Sequence, residues 1–475
     1  MSAVRRLLAT VALAAFLALS AGAAGASFDE VNVSRLRGAQ AEVAIAADPA
    51  HPGVLLAASN SIDFKSYAAL GNLMRTYASA DGGATWAVGA GPTPTPYGGR
   101  KRCNAGDPAP AIDATGRQYL AFLASACITI DSLVALDREF DVARLEVASR
   151  ANAASPWTIA QVYPVRSRRF DDKPSLAVDR SPASPHLGRV YAAWTRITPG
   201  GKSAQGKIAI VLSHSDDGGA TWSRPVVVPD SANPETSFSS IAIDASGTVF
   251  VSWMNVRGFL LIDRSTDGGD TFGTDVVVDA AAGLSGSVCD QPGSIGVPAQ
   301  LKRCITSSPT VLVDSRAGAA ERVYLTYDAP DASGRAQDVM IRAFDSSLVP
   351  FGPAHAVHPL DAKRDEFLPA SAVDDAGRVW VCFYDTVADK TRRTARYSCT
   401  ASVDGGETWA LPHPVASVAS DETSYPSFSF QYGDYEGVTV AGGVAHPIWT
   451  DSRDLLTRGE EIYTTTLTPA DLQLP

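Results

Sequence analysis

The sequence predicts an all-β propeller of four-stranded antiparallel blades. The blade count is seven, with six as the alternative, and a strand near the N-terminus closes the ring. Three observations carry this. A hairpin unit recurs at intervals of about 65 residues, the mark of a repeat architecture. One turn sequence returns four times almost unchanged. No segment sustains a 3.6-residue apolar period, so helices should be few.

The hairpin has an apolar strand ending in Asp, a Gly-containing turn, and a second strand rich in Val, Tyr and Trp. It occurs as Val43–Asp48 with Gly53–Ala57, and as Ala111–Asp113 with Gly116–Phe122. It returns as Leu176–Asp179 with Gly188–Trp194, and as Ile241–Asp244 with Gly247–Trp253. Val311–Asp314 with Arg322–Tyr327 and Ser371–Asp374 with Gly377–Tyr384 follow. A weaker seventh copy pairs Gly437–Ala441 with Gly443–Trp449. Asp and Gly supply the turn, and β-branched and aromatic residues supply the strands.

A third strand then runs into the recurring turn. Its copies are Ser79-x-Asp81-Gly-Gly-x-Thr85-Trp86, Ser215-x-Asp217-Gly-Gly-x-Thr221-Trp222, Ser265-x-Asp267-Gly-Gly-x-Thr271-Phe272 and Ser402-x-Asp404-Gly-Gly-x-Thr408-Trp409. Degenerate relatives fall at 149–157 and 344–351. In such a turn Asp accepts backbone N–H bonds, Gly permits positive φ, Thr ties the loop and the aromatic plugs the blade edge. The role read for these residues is structural. The last unit lacks a fourth strand, and Asp29–Ser34 is a spare strand at the other end, so the two should pair and leave no open edge.

The head Met1–Arg6, the apolar stretch Leu7–Leu19 and the small residues 21–26 read as a secretory signal peptide over 1–26. One propeller domain is expected over 27–475, exported and without a membrane span. The formal net charge is −11; losing Arg5 and Arg6 leaves 38 basic against 51 acidic residues, or −13. That balance, with no basic run, makes nucleic acid a poor partner. Six cysteines in an exported chain suggest neighbouring disulfides: Cys103–Cys127, Cys289–Cys304 and Cys382–Cys399. No CxxC or HExxH spacing points to a Cys/His metal site, and no cofactor is expected. The oxygen-rich loops leave room for a structural Ca²⁺.

In an A–B–C–D meander, the A–B and C–D turns share one face of the disc. The B–C and D–A loops share the other, around the channel mouth, where loops on a rigid scaffold carry function. Polar residues entering the A strands include Arg37 and Glu42; Arg102 and Asp107; Arg168, Arg169, Asp171 and Asp172; Arg303; Arg364, Asp365 and Glu366; and Gly433-Asp434-Tyr435. Leaving the B strands are Asn60, Arg196, Asn255, Asp328, Asp385, Asp451 and Arg453. Arginines can hold a carboxylate bidentately, and paired carboxyls can do acid–base work on a glycoside. The candidate catalytic residues are Asp172, Glu366, Asp434 and Tyr435; the candidate substrate-binding residues are Arg37, Arg169, Arg303 and Arg453.

The four turns and the repeat resemble the sialidase superfamily, the BNR/Asp-box propellers, over essentially all of the mature chain. Gly433-Asp434-Tyr435-x-Gly437 and Trp449-Thr-Asp451-Ser-Arg453 are similar to secreted bacterial exo-α-sialidase-like proteins. The resemblance implies a secreted glycosidase acting on an acidic glycan, with carbohydrate as its partner. Family members use an arginine triad on the substrate carboxylate, a Tyr nucleophile paired with Glu, and an Asp acid/base. The Phe/Tyr-Arg-Ile-Pro motif that carries the first arginine is absent here. Arg196-Ile-Thr-Pro199 lies in the third unit instead, and Arg37 is the positional substitute. The alternative is a non-catalytic propeller that binds glycan or protein.

Overall fold

The computed structural model describes residues 28–474 except 63–72, 97–100, 128–142, 164–168, 199–206, 231–235, 256, 281–293, 301–302, 315, 317–320, 332, 359–363 and 425–430. The signal-peptide segment and Cys289 therefore lie outside the described residues.

Seven four-stranded antiparallel sheets follow one another along the chain. Their first strands, one per blade from blade 1 to blade 7, are Ala39–Ala47, Arg102–Ile112, Phe170–Val178, Thr236–Ile243, Thr310–Asp314, Glu366–Val373 and Gly437–Ala441. These strands pack against one another around a central cavity, and each blade's remaining strands step outward. The count is seven, as the repeats predict. The described residues contain a single helical turn, Glu422–Ser424, and no helix long and apolar enough to cross a membrane.

Second strands such as Val249–Asn255 and Val379–Asp385 are buried along their whole length. A blade has a neighbour on each face, so its middle strands present both faces to protein. That is why they read as continuous apolar runs rather than alternating ones. Trp194, Trp253, Phe383 and Trp449 stand at equivalent places in these strands and are fully buried.

Blade 7 is completed from the other end of the chain. Val31 and Asn32 pair with Thr464 and Tyr463 as its outermost strand. Val33 is fully buried beside Ile462, and Arg453 bonds Glu30 at 2.5 Å. The ring closes by hydrogen bonding between the two ends, which removes the open edge.

The four Asp-box turns share one geometry. In blade 1, the Ser79 hydroxyl donates to Asp81 Oδ1 at 2.8 Å, the Thr85 amide donates to the same oxygen at 2.9 Å, and the Thr85 hydroxyl donates to Oδ2 at 2.6 Å. The Gly83 amide donates to Ser79 Oγ, and the Trp86 indole to the Gly83 carbonyl, both at 2.9 Å. The Thr hydroxyl and amide bonds lower Asp81 and Asp217 to about 2. Blades 3, 4 and 6 repeat the Ser, Asp and Thr bonds, and the indole bond recurs in blades 3 and 6, where blade 4 has Phe272. Residues 150–158 and 344–350 form the corresponding turns of blades 2 and 5 without the full motif. Cys103–Cys127 and Cys382–Cys399 are bonded, each within one blade. Cys304 is also in a disulfide.

Candidate functional site

The site begins with a backbone irregularity. In blades 1, 2, 3, 4 and 6 the innermost strand slips register against its partner near its start. At each slip one non-glycine residue has positive φ: Glu42 (57°), Asp107 (52°), Lys173 (48°), Phe238 (58°) and Leu368 (53°). Each precedes its hairpin Asp by six positions. Such bulges re-aim a side chain, and the left-handed conformation costs about 1–3 kcal/mol per residue. The neighbouring blade supports two of them directly: Asn60 Oδ1 accepts the Asp107 amide at 2.9 Å, and Asp328 Oδ1 accepts the Leu368 amide at 3.1 Å.

The bulges of the first three blades bring Glu42, Asp107 and Lys173 together at the loop-face end of the channel. Lys173 Nζ lies 2.5 Å from Asp434, 3.6 Å from Asp107 and 4.0 Å from Glu42. Arg303 Nη2 lies 2.5 Å from Glu42 and 2.6 Å from Asp434. Asn60 Nδ2 donates to Glu42 at 2.5 Å, and Asp172 hydrogen-bonds Asp107 through the carboxyls. Four carboxyls thus surround two cations.

The excess acid is accommodated by protons. Burial pushes Glu42 up to about 8, with Asp434 and Asp107 adding to the rise against Lys173 and Arg303. Burial, then Asp107, pushes Asp172 up to about 7. Burial also opposes ionisation of Asp434, yet Lys173 and Arg303 hold it well below the usual carboxylate range. Asp172 therefore keeps its proton up to near neutral pH, hydrogen-bonded against the Asp107 carboxyl. Tyr435 is pushed well up by burial and by Asp107, Glu42 and Asp434, so its phenol stays protonated. Its buried hydroxyl has no hydrogen-bond partner among the described residues. Asp107, Lys173, Phe238 and Tyr435 line the upper wall of a central cavity of about 480 Å³.

Of the residues singled out from the sequence, Asp172, Asp434, Tyr435 and Arg303 meet in this cluster. Glu366 does not join it. It is buried in blade 6, bonded to His358 Nδ1 at 3.0 Å and pushed up to about 7 by burial, with Asp338 and Asp385 as its further neighbours. Arg453 is engaged by Asp451 at 2.7 Å and by Glu30, and stacks over Tyr463. Arg37 is exposed on the loop into blade 1. Arg169 stands just before the third inner strand with its Nε buried. Arg196, from the near-miss motif, bonds Asp171 at 3.2 Å. The predicted set of four arginine clamps is thus not gathered at one place. The Asp-box aspartates stand on the opposite face and take no part.

Lys173 was missed by sequence reasoning, and Glu42 and Asp107 were noted only as mouth residues. The signal was the position six before each hairpin Asp, followed by Pro in Asp107-Pro108, Lys173-Pro174 and Leu368-Pro369. As to Ca²⁺, Lys173 and Arg303 already face the mouth carboxylates. Among the described residues no three His, Cys, Asp or Glu are grouped to hold a metal.

No family model and no curated protein matches the sequence. Solved structures do. A Dyadobacter fermentans protein of unknown function is 17% identical over 76% of this chain and 95% of its own, with a TM-score of 0.48. The Ruminococcus gnavus intramolecular trans-sialidase is 11% identical over 92% of this chain and 96% of its own, with a TM-score of 0.46. The Trypanosoma rangeli sialidase is 14% identical over 78% of this chain and 56% of its own, with a TM-score of 0.44.

Proposed function

We propose that this protein is a carbohydrate-active propeller that cleaves a glycosidic bond at the channel mouth. The observation that carries the reading is the hydrogen-bonded carboxyl pair in which Asp172 keeps its proton up to about pH 7 against Asp107, and Asp107 lines a cavity large enough for a sugar unit. The Asp-box resemblance supplies the substrate class, a glycan.

In this reading the pair gives its proton to the leaving glycosidic oxygen as the C–O bond breaks. It takes a proton back from the water that attacks the anomeric carbon. Lys173 and Asp434 fix the pair from one side. Tyr435, protonated and unpartnered, offers a hydrogen bond to the sugar. An acidic sugar reaches Arg303 only by displacing Glu42 or Asp434, so acidic glycans and their neutral counterparts belong in the same substrate screen.

The test is release of reducing sugar from a glycan panel by the wild type and by Asp172→Asn. The variant should lose at least a hundredfold in kcat with KM little changed. Wild-type kcat should fall as pH rises through about 7, where Asp172 gives up its proton. An active wild type with an equally active variant rejects the assignment.

A second reading has a specific observation behind it. The ion pairs of Lys173 and Arg303 tie blades 1, 2, 3 and 7 across the channel. That is what a structural clasp in a non-catalytic binding propeller would do. Glycan binding without sugar release, together with a large loss of stability in Lys173→Met, would favour it.

A further inference from the structure

The cavity continues below the mouth toward the face of the hairpin turns, and its lower lining has a different chemistry. Ser240, Thr310 and Thr439, from blades 4, 5 and 7, line it together with Arg180. The Ser240 hydroxyl accepts the Val311 amide at 3.2 Å, which leaves its own hydrogen free to donate. The hydroxyls of Thr310 and Thr439 have no hydrogen-bond partner among the described residues.

Arg180 follows the hairpin residue Asp179 of blade 3. It is open to water, yet desolvation by surrounding protein lowers its guanidinium despite the attraction of Asp113 and Asp48. Water access combined with desolvation is what a side chain standing inside a channel experiences. Among the described residues Arg180 makes no ion pair or hydrogen bond. The two nearby carboxylates are committed elsewhere. Asp48 accepts the amides of Ala50 and His51. Asp113 accepts the Thr115 and Arg117 amides and the Tyr119 hydroxyl. At the other end of the cavity, Lys173 is already paired with carboxylates. A guanidinium with no bonded counter-charge among the described residues, at the end of a passage lined by hydroxyls, is a receptor for an anion.

We propose that the lower part of the central cavity binds a small oxyanion, a carboxylate or sulfate group, which enters from the hairpin-turn face and is held by Arg180. The site does not depend on the chemistry at the mouth. The guanidinium supplies the charge and two donors, and the Ser and Thr hydroxyls complete the shell.

The experiment is calorimetric titration of the full chain with sodium sulfate, at constant ionic strength balanced with chloride, on wild type, Arg180→Gln and Asp172→Asn. Wild type should bind one sulfate saturably. Arg180→Gln should bind at least about tenfold more weakly, the loss of one charge-assisted contact. Asp172→Asn should bind as wild type does. Equal binding by wild type and Arg180→Gln, or no saturable binding by wild type, overturns the proposal. So does loss of binding in Asp172→Asn with Arg180→Gln unaffected, which would move the anion to the mouth. Glycan turnover is read separately, so the two assignments fail independently.

Discussion

Replacing Glu42 by Gln tests the electrostatics of the mouth, because Gln keeps the shape and removes the titration. In the unfolded chain a glutamate ionises near pH 4.3. In the fold, burial holds the Glu42 proton up to about pH 8. Between these values folding requires proton uptake, so wild-type stability falls with rising pH by about 1.4 kcal/mol per unit from this group. The sign follows from the raised acid. Its contribution is fully present below the unfolded pKa and is lost as pH climbs toward the folded one. Glu42→Gln escapes the loss. Relative to wild type, the variant should therefore gain about 1.4 kcal/mol per pH unit between pH 5 and 8, up to about 4 kcal/mol in all. A pH-independent offset sits on top of this, because the Gln amide has one acceptor oxygen where Arg303 and Asn60 each use a separate Glu42 oxygen. Urea denaturation at pH 5, 6, 7 and 8, followed by tryptophan fluorescence, measures the difference. A stability difference that stays constant over that range would refute the reasoning, since it would mean that Glu42 is ionised throughout.

Two further outcomes follow from the scaffold. Gly269→Ala should destabilise by about 1–3 kcal/mol: the residue has φ +91°, and a Cβ there would stand 2.9 Å from Leu212 Cδ2. Thermal unfolding checks it, and an unchanged midpoint would contradict the Asp-box geometry. Replacing both Cys382 and Cys399 by Ser opens a loop of sequence separation 17, worth about 3 kcal/mol in chain entropy. A matching fall in urea midpoint is expected, with the blade's register intact by circular dichroism.

The propeller was legible because its information is local. A hairpin Asp, a Gly turn and a Ser-x-Asp-Gly-Gly-x-Thr-Trp segment each satisfy their own hydrogen bonds within a few residues, so each appears in the sequence as a fixed spacing. Ring closure was legible for a similar reason: one unit lacks a strand and Asp29–Ser34 is a strand without a unit. Neighbouring cysteines paired within blades because each blade is a contiguous stretch of chain.

The site was legible only in part. Asp172, Asp434, Tyr435 and Arg303 were named from their place at strand entries, but nothing in the sequence distinguishes them from Glu366 or Arg453, which occupy similar places and turn to other partners. The contacts that decide the matter join residues 261 positions apart, Lys173 with Asp434 and Arg303 with Glu42. They exist because seven equivalent strands converge on one axis and because a left-handed bulge turns three charged side chains inward. A repeat spacing can predict that strands converge. Which side chain each bulge presents to the axis, and which proton the crowded carboxyls then retain, is fixed only when the ring closes and packs them together.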